Sequence, residues 1–221
     1  LTGGSKGIGA SIVKAARDAG YEVVFTGRDE EAMKKVADAT GAHSFRADVT
    51  SGDDNQKTVD FAAEKMGGID VLINNAAYGY GAPIGELDVD AMRKMFETNI
   101  FGLVDLTNRV VPLMKKQEAG DIVNIASTSG LKGHPNGTPY AGSKWALRGI
   151  SQCWQMELRK FNVRVMCVCP SDVQTGWGGK RPGDNPNKLF AEDIAHSILS
   201  ALAMHPRGFI PEFAVIATNP F

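Results

Sequence analysis

The sequence predicts an α/β fold: a doubly wound, mostly parallel seven-stranded sheet with helices on both faces, built as a single domain. Three observations carry this. Apolar runs of four to seven residues alternate with longer stretches of helical spacing. The cores of the short runs, such as Val71-Leu72-Ile73 and Ile122-Val123, are continuously apolar, as expected of parallel strands covered on both faces. Right-handed crossovers then join these strands through helices into one sheet.

Only Leu1 and Thr2 precede Gly3, where such a sheet needs a central strand of about five residues, so the first strand is expected to be largely missing from this sequence. The first helix carries the stripe Ile8, Ile12, Ala15, Ala16 and Ala19 and closes at Gly20, where a C-terminal glycine is favoured. The remaining strands are expected at Glu22 to Thr26, His43 to Arg46, Asp70 to Asn74, Asp121 to Ala126, Val163 to Cys169 and Phe209 to Ile216. Helices are expected at Asp29 to Ala39, Gly52 to Met66, Val89 to Lys116, Pro139 to Lys160 and Ala191 to Met204. Ser171 to Lys188, rich in Gly, Pro and Asn, is the one long irregular stretch, and connections of that length often serve as lids or binding loops.

Composition narrows the function. Across 221 residues, 24 Lys plus Arg face 25 Asp plus Glu, a formal charge of −1, which argues against a nucleic-acid or anionic-membrane binder held by bulk charge. Hydrophobic residues at 43% and charged residues at 22% suit a globular domain with one sizeable core. No run approaches the roughly 18 apolar residues of a membrane span, and the first ten residues lack the blocks of a signal peptide; a cytoplasmic location is expected. Cys167 and Cys169 lie two apart in a strand, sharing a face as small core residues poorly placed to bridge. His43, His134, His196 and His205 show no ligand spacing with Cys or acids, so no metal is expected.

Glycines at 3, 7 and 9 open the first helix. Gly3 permits a tight turn, Gly7 lets backbone approach a pyrophosphate, and Gly9 allows close packing, while the helix N-terminus offers N–H donors. The second strand ends Thr26-Gly27-Arg28, where an NAD-preferring site would carry Asp or Glu for the ribose hydroxyls. Arg28 and Lys6 are either solvated surface residues or two cations converging on the extra phosphate of NADP, and their pairing favours NADP.

In the helix from Pro139, Tyr140 and Lys144 are four residues apart and so share a face. The row continues through Leu147, Ser151, Trp154 and Leu158, placing Lys144 inward, where an uncompensated ammonium is costly. A free phenol is about one part in a thousand ionised at pH 7, and a nearby cation is expected to lower its pKa. Ser127 follows an apolar strand at its carboxyl end, where open α/β sheets bind ligands; it is either a turn former or a partner for a carbonyl oxygen. Asn99 interrupts the apolar row Met92, Phe96, Leu103, Leu106 and Val110, and a buried amide there must be hydrogen-bonded, to neighbouring backbone or to a relay water.

These residues resemble the short-chain dehydrogenase/reductase family over essentially the whole chain. Thr2-Gly3-x-x-x-Gly7-x-Gly9 resembles its cofactor turn, Asp48-Val49 its adenine-contacting pair, and Asn74-Asn75-Ala76 its Asn-Asn-Ala-Gly segment. Asn99, Ser127, Tyr140 and Lys144 match its catalytic tetrad, with Ser127 thirteen residues before Tyr140. The resemblance implies a Rossmann-type dinucleotide domain over residues 1–221 with a lid loop at about 176–189. It also implies that Tyr140 is the general acid, that Lys144 lowers its pKa and binds the nicotinamide ribose, that Ser127 polarises the carbonyl, and that Asn99 anchors the relay water. Cofactor contacts are expected from Gly3, Ser5, Lys6, Gly7, Ile8, Gly9, Arg28, Asp48, Val49, Asn75, Ala76, Tyr140, Lys144, Pro170, Val173 and Thr175. Substrate contacts are expected from Ser127, Tyr140 and Trp177, Trp177 being a pocket wall or a cap on the core edge.

Two departures stand out: Ala77 replaces the glycine of Asn-Asn-Ala-Gly, and Ser171 replaces the glycine that follows the proline of the sixth strand. The expected activity is NADPH-dependent reduction of a ketone, aldehyde or 3-oxoacyl carbonyl to an alcohol. The alternatives are an NAD-dependent alcohol dehydrogenase of the same fold and a non-catalytic NADP-binding sensor or scaffold. The two long helices resemble those the family packs into homodimers or homotetramers.

Overall fold

The computed structural model describes residues 1–177, 183 and 185–219. In chain order its elements are α1 (Gly7–Asp18), β1 (Val24–Gly27), α2 (Glu30–Thr40), β2 (His43–Arg46), α3 (Gly52–Met66), β3 (Val71–Asn74), α4 (Val89–Phe96), α5 (Leu103–Gln117), β4 (Gly120–Ile125), α6 (Thr138–Leu158), β5 (Val163–Pro170), α7 (Ala191–Leu202) and β6 (Glu212–Val215). Side chains set several helix starts. Asp29 accepts from Ala32 N at 3.0 Å, Ser51 from Asp54 N at 3.2 Å, and Asp88 from Asp90 N at 2.8 Å, each satisfying a first-turn donor. Gly41 and Gly67 end α2 and α3 in the left-handed region.

All strand pairs among the described residues are parallel, β1 with β2 and then β3-β4-β5-β6. Residues 1–4 join the two sets. Thr26 N donates to Leu1 O at 2.9 Å, Gly4 N to Thr26 O at 2.8 Å, and Thr2 N to Ile73 O at 3.0 Å. The described strands therefore number six, with Leu1 and Thr2 holding the central seventh position through these bonds. An apolar cavity of about 80 Å³, lined by Leu1, Val13, Val24, Leu72, Ile73 and Leu106, lies beside them.

Strand alternation places the core on both faces. Ile73, Val123, Ile125, Met166 and Val168 pack with Ile12 of α1 and Ile194 and Ile198 of α7. The intervening Leu72, Ile122, Val163 and Val165 pack with Val59 of α3 and Leu106 and Val110 of α5. Element ends differ from the expected ones by a few residues, and only one helix differs in kind. The continuous helix expected from Val89 to Lys116 is interrupted by a π turn at Glu97–Gly102. Two groups anchor this widened turn: the Asn99 amide, bonded to Tyr78, and Gly102, whose added Cβ would collide with the Val49 carbonyl oxygen.

Part of the lid expected at about 176–189 falls on residues 178–182 and 184, outside the described residues. Among the described residues, no helix is long and apolar enough to cross a membrane.

Candidate active site

The glycine turn lies against the carboxyl end of β3. Gly3 and Gly7 take φ of +67° and +54°, and a Cβ on Gly9 would collide with the Gly3 carbonyl oxygen. Asn75 Nδ2 donates to Thr2 O and Gly3 O, both at 3.0 Å, while Thr2 Oγ1 accepts from Asn75 N at 3.1 Å and Ala76 N at 3.0 Å. This clasp holds the turn over the strand end. No side chain caps the start of α1, which leaves its first N–H groups open to a pyrophosphate. The glycine backbone, these donors and the ribose-side groups below fit a dinucleotide.

Ser5 lies beside Gly27 at the end of β1. Lys6 ion-pairs with Asp29 at 2.6 Å and Arg28 with Asp48 at 3.5 Å, the two cations being about 70% exposed. Both candidate phosphate ligands thus share their places with carboxylates. Burial alone would raise Asp48, but bonds from Thr50 and the charge of Arg28 outweigh it and leave the carboxyl below its ordinary value. The Val49 carbonyl accepts from Asn55 at 2.9 Å. At the far end Thr175 packs on Gly7, and Val173 forms a parallel bridge with Leu189. Ala77 is not among the residues at positive φ, so its methyl meets no backbone strain. Ser171 N donates to Val215 O at 2.9 Å, in keeping with the sheet beyond Pro170.

Lys144 is 3% exposed; its ammonium donates to Ile125 O at 2.8 Å and stands 5.7 Å from the centre of the Tyr140 ring. Burial lowers the amine from 10.5 to about 8. Burial also raises the Tyr140 phenol above its ordinary value, with the neighbouring Ser127 opposing. The lowering of Tyr140 expected from Lys144 is therefore corrected: desolvation of the phenol is the larger effect. Ser127 is brought to Tyr140 by the turn that leaves β4, and its Oγ also accepts from Ser129 N at 3.1 Å. Trp177 lies beside Tyr140, ring centres 6.3 Å apart, with its indole edge over Gly79. Asn99 is bonded through both amide atoms: Oδ1 accepts from Tyr78 N at 3.1 Å, and Nδ2 donates to Tyr78 O at 3.1 Å and to Ser143 Oγ at 3.2 Å.

Several neighbours were not singled out from the sequence. Tyr78 is the partner of Asn99, and Thr2, which the sequence offers only as part of the glycine turn, is the partner of Asn75. Tyr78 also lies near Arg28; burial raises its phenol while that charge opposes. Cys167 and Cys169 are buried on β5, their sulfurs within 4.8 Å of one another. Glu212 lies within 4.8 Å of both sulfurs, but its two carboxylate oxygens are taken by Arg148 at 2.7 Å each. Arg148 thereby satisfies this group internally. Residue separation hid these contacts, since Arg148 and Glu212 are 64 positions apart.

The profile of the short chain dehydrogenases matches residues 1–185. An uncharacterized oxidoreductase of Staphylococcus saprophyticus is 38% identical over 208 residues, covering 91% of this chain and 89% of its own. Another, of Staphylococcus aureus, is 30% identical over 218 residues, with 97% and 94% covered. Among solved structures, the closed form of a serine dehydrogenase with NADP+ superposes at a TM-score of 0.92 and 26% identity, covering 98% of this chain and 93% of that one. A metagenomic short-chain oxidoreductase with NADP superposes at 0.87 and 28%, covering 99% and 96%.

Proposed function

The chain belongs to the short-chain dehydrogenase family of oxidoreductases, and from that premise we propose that it is an NADP-dependent reductase of ketones, aldehydes or 3-oxoacyl groups. The observation that carries this reading is the convergence of a half-buried phenol, a serine side chain close enough to oppose the rise of its pKa, and a buried ammonium beneath its ring. The cofactor, when bound, supplies the hydride.

Each side chain then has a separate task. Ser127 Oγ and the Tyr140 hydroxyl together hold the carbonyl oxygen. Burial disfavours the phenolate, and Tyr140 gives its proton to the oxygen as negative charge builds there. Lys144, which still holds most of its charge at pH 7, stabilises the phenolate left behind. Asn99 fixes the Tyr78 backbone and, through Ser143, the first turns of α6. The glycine turn with Ser5, Ile8, Asp48, Val49, Asn75, Ala76, Pro170, Val173 and Thr175 would line the dinucleotide site, and Lys6 and Arg28 would turn from their carboxylates to a 2′-phosphate.

NADP in two of the similar structures supports the cofactor choice. NAD-linked alcohol oxidation draws its support from Asp29 and Asp48, carboxylates suited to ribose hydroxyls. The rest of the reading is a single domain with a lid at about 176–189, Trp177 walling the pocket, a homodimer or homotetramer, and a cytoplasmic location. The test is kcat/KM with NADPH and with NADH across a carbonyl panel. A clear NADPH preference with carbonyl turnover is expected. Equal or better use of NADH would overturn the cofactor choice, and tight NADPH binding without turnover would favour a sensor.

A further inference from the structure

We propose that Arg148, locked to Glu212, is a positioning residue that aims the Ser127 hydroxyl at the substrate carbonyl; this rests on the reading of Ser127 as the group that holds that oxygen. Ser127 lies outside any strand, on a turn whose orientation must be supplied by its neighbours. The turn is short: Gly130 N donates to Ser127 O at 2.8 Å, and Ser129 N donates to Ser127 Oγ at 3.1 Å. Its near end is held where the chain leaves β4, by the bond from Ala126 N to Val168 O of β5 at 2.7 Å. Its far end is held by Arg148, whose Nη1 donates to Gly130 O at 2.6 Å.

Arg148 can hold that end because it is itself immobilised. Its Nε and Nη2 form a two-pronged pair with both Glu212 oxygens at 2.7 Å, its side chain is 16% exposed, and its guanidinium stacks 5.1 Å from the centre of the Trp145 ring. Glu212 opens β6 opposite Cys167 of β5. The guanidinium thus ties the Ser127 turn to a strand two places away in the sheet. The turn also abuts α6 closely: a Cβ on Gly130 would stand 2.8 Å from the Lys144 carbonyl oxygen, so relaxation toward that helix is blocked. With the Ala126–Val168 bond at one end and Arg148 at the other, the direction of Ser127 Oγ is over-determined. Loss of one tie should shift it by a fraction of an ångström, enough to slow transfer to a carbonyl oxygen that must sit in reach of both Ser127 and Tyr140.

Arg148→Lys keeps the charge but has no fork with which to hold Glu212 and Gly130 together. The experiment is a double-mutant cycle of Arg148→Lys and Ser127→Ala, measuring kcat, KM for the carbonyl compound, NADPH affinity and Tm. Arg148→Lys is expected to lower kcat roughly tenfold in the wild-type background, with NADPH affinity unchanged. In the Ser127→Ala background its effect should shrink to within about twofold, because nothing remains to be aimed. Equal losses in the two backgrounds would show a general structural role and overturn the inference, as would an unchanged kcat in Arg148→Lys. Near-normal turnover of Ser127→Ala alone is the separate result that would overturn the role of Ser127 itself. If Arg148→Lys does not fold, Glu212→Gln, which loosens the same lock from the other side, carries the same cycle and the same expectations.

Discussion

Replacing Lys144 by Met should make the protein more stable at neutral pH while abolishing turnover. The buried ammonium has its pKa lowered from 10.5 to about 8, and each unit corresponds to about 1.4 kcal/mol, so holding the charge at pH 7 costs on the order of 3 kcal/mol. Against this stands its one hydrogen bond, to Ile125 O at 2.8 Å. Loss of that charged bond and the acceptor left unpaired should cost about 1–3 kcal/mol. Met fills much of the same volume without charge, leaving a net gain of up to about 2 kcal/mol at pH 7. The pH dependence has a definite sign. Between about 8 and 10.5 the unfolded chain holds the Lys144 proton and the folded protein does not, so wild-type stability rises with pH through that window. Above 10.5 the charge penalty is gone and Lys144→Met keeps only the lost bond. Thermal melts of the two proteins at pH 7 and pH 10.5 check this, at roughly 2–4 °C per kcal/mol for a chain of this size. The variant should melt at or above the wild type at the lower pH and below it at the higher. A variant less stable by the same margin at both values would refute the reasoning.

Three further outcomes are expected. Gly9→Ala should weaken NADPH binding at least tenfold, read by titration of cofactor fluorescence, because its methyl would strike the Gly3 carbonyl that shapes the turn. Arg28→Ala combined with Lys6→Ala should raise KM for NADPH roughly tenfold with little change for NADH, since only the former carries the extra phosphate; steady-state kinetics with both cofactors decide it. Arg164→Met should destabilise the fold by about 3 kcal/mol, visible as a fall in Tm. It strands Asp121, whose two oxygens Arg164 holds at 2.5 and 2.7 Å, and releases the Leu202 carbonyl at the end of α7.

The fold was legible because burial follows periodicity. Val71-Leu72-Ile73 and Val163 to Cys169 read as doubly covered strands, and each contributes alternate residues to the two faces of the core. The row through Lys144, Leu147, Ser151 and Leu158 is likewise buried. The π turn at Glu97–Gly102 was not legible, because the apolar row from Met92 to Val110 keeps its buried face across it, and what anchors it is the bonding of Asn99 to a loop 21 residues away. The bond of Ala126 to Val168 that starts the Ser127 turn depends on the β4–β5 register, in which Ile125 faces Val168, and no single-strand pattern encodes that pairing. The direction of the Tyr140 shift depends on how deeply the phenol is desolvated, a tertiary quantity that the four-residue spacing to Lys144 leaves open. The pairing of Lys6 with Asp29 and of Arg28 with Asp48 likewise follows from the meeting of distant loops.

The most direct test of the central claim, that Tyr140 delivers a proton to a carbonyl oxygen, is single-turnover NADPH oxidation by Tyr140→Phe beside the wild type, with cofactor affinity measured on the same samples. A fall of about a hundredfold or more with unchanged NADPH affinity is predicted. Turnover close to that of the wild type would contradict it.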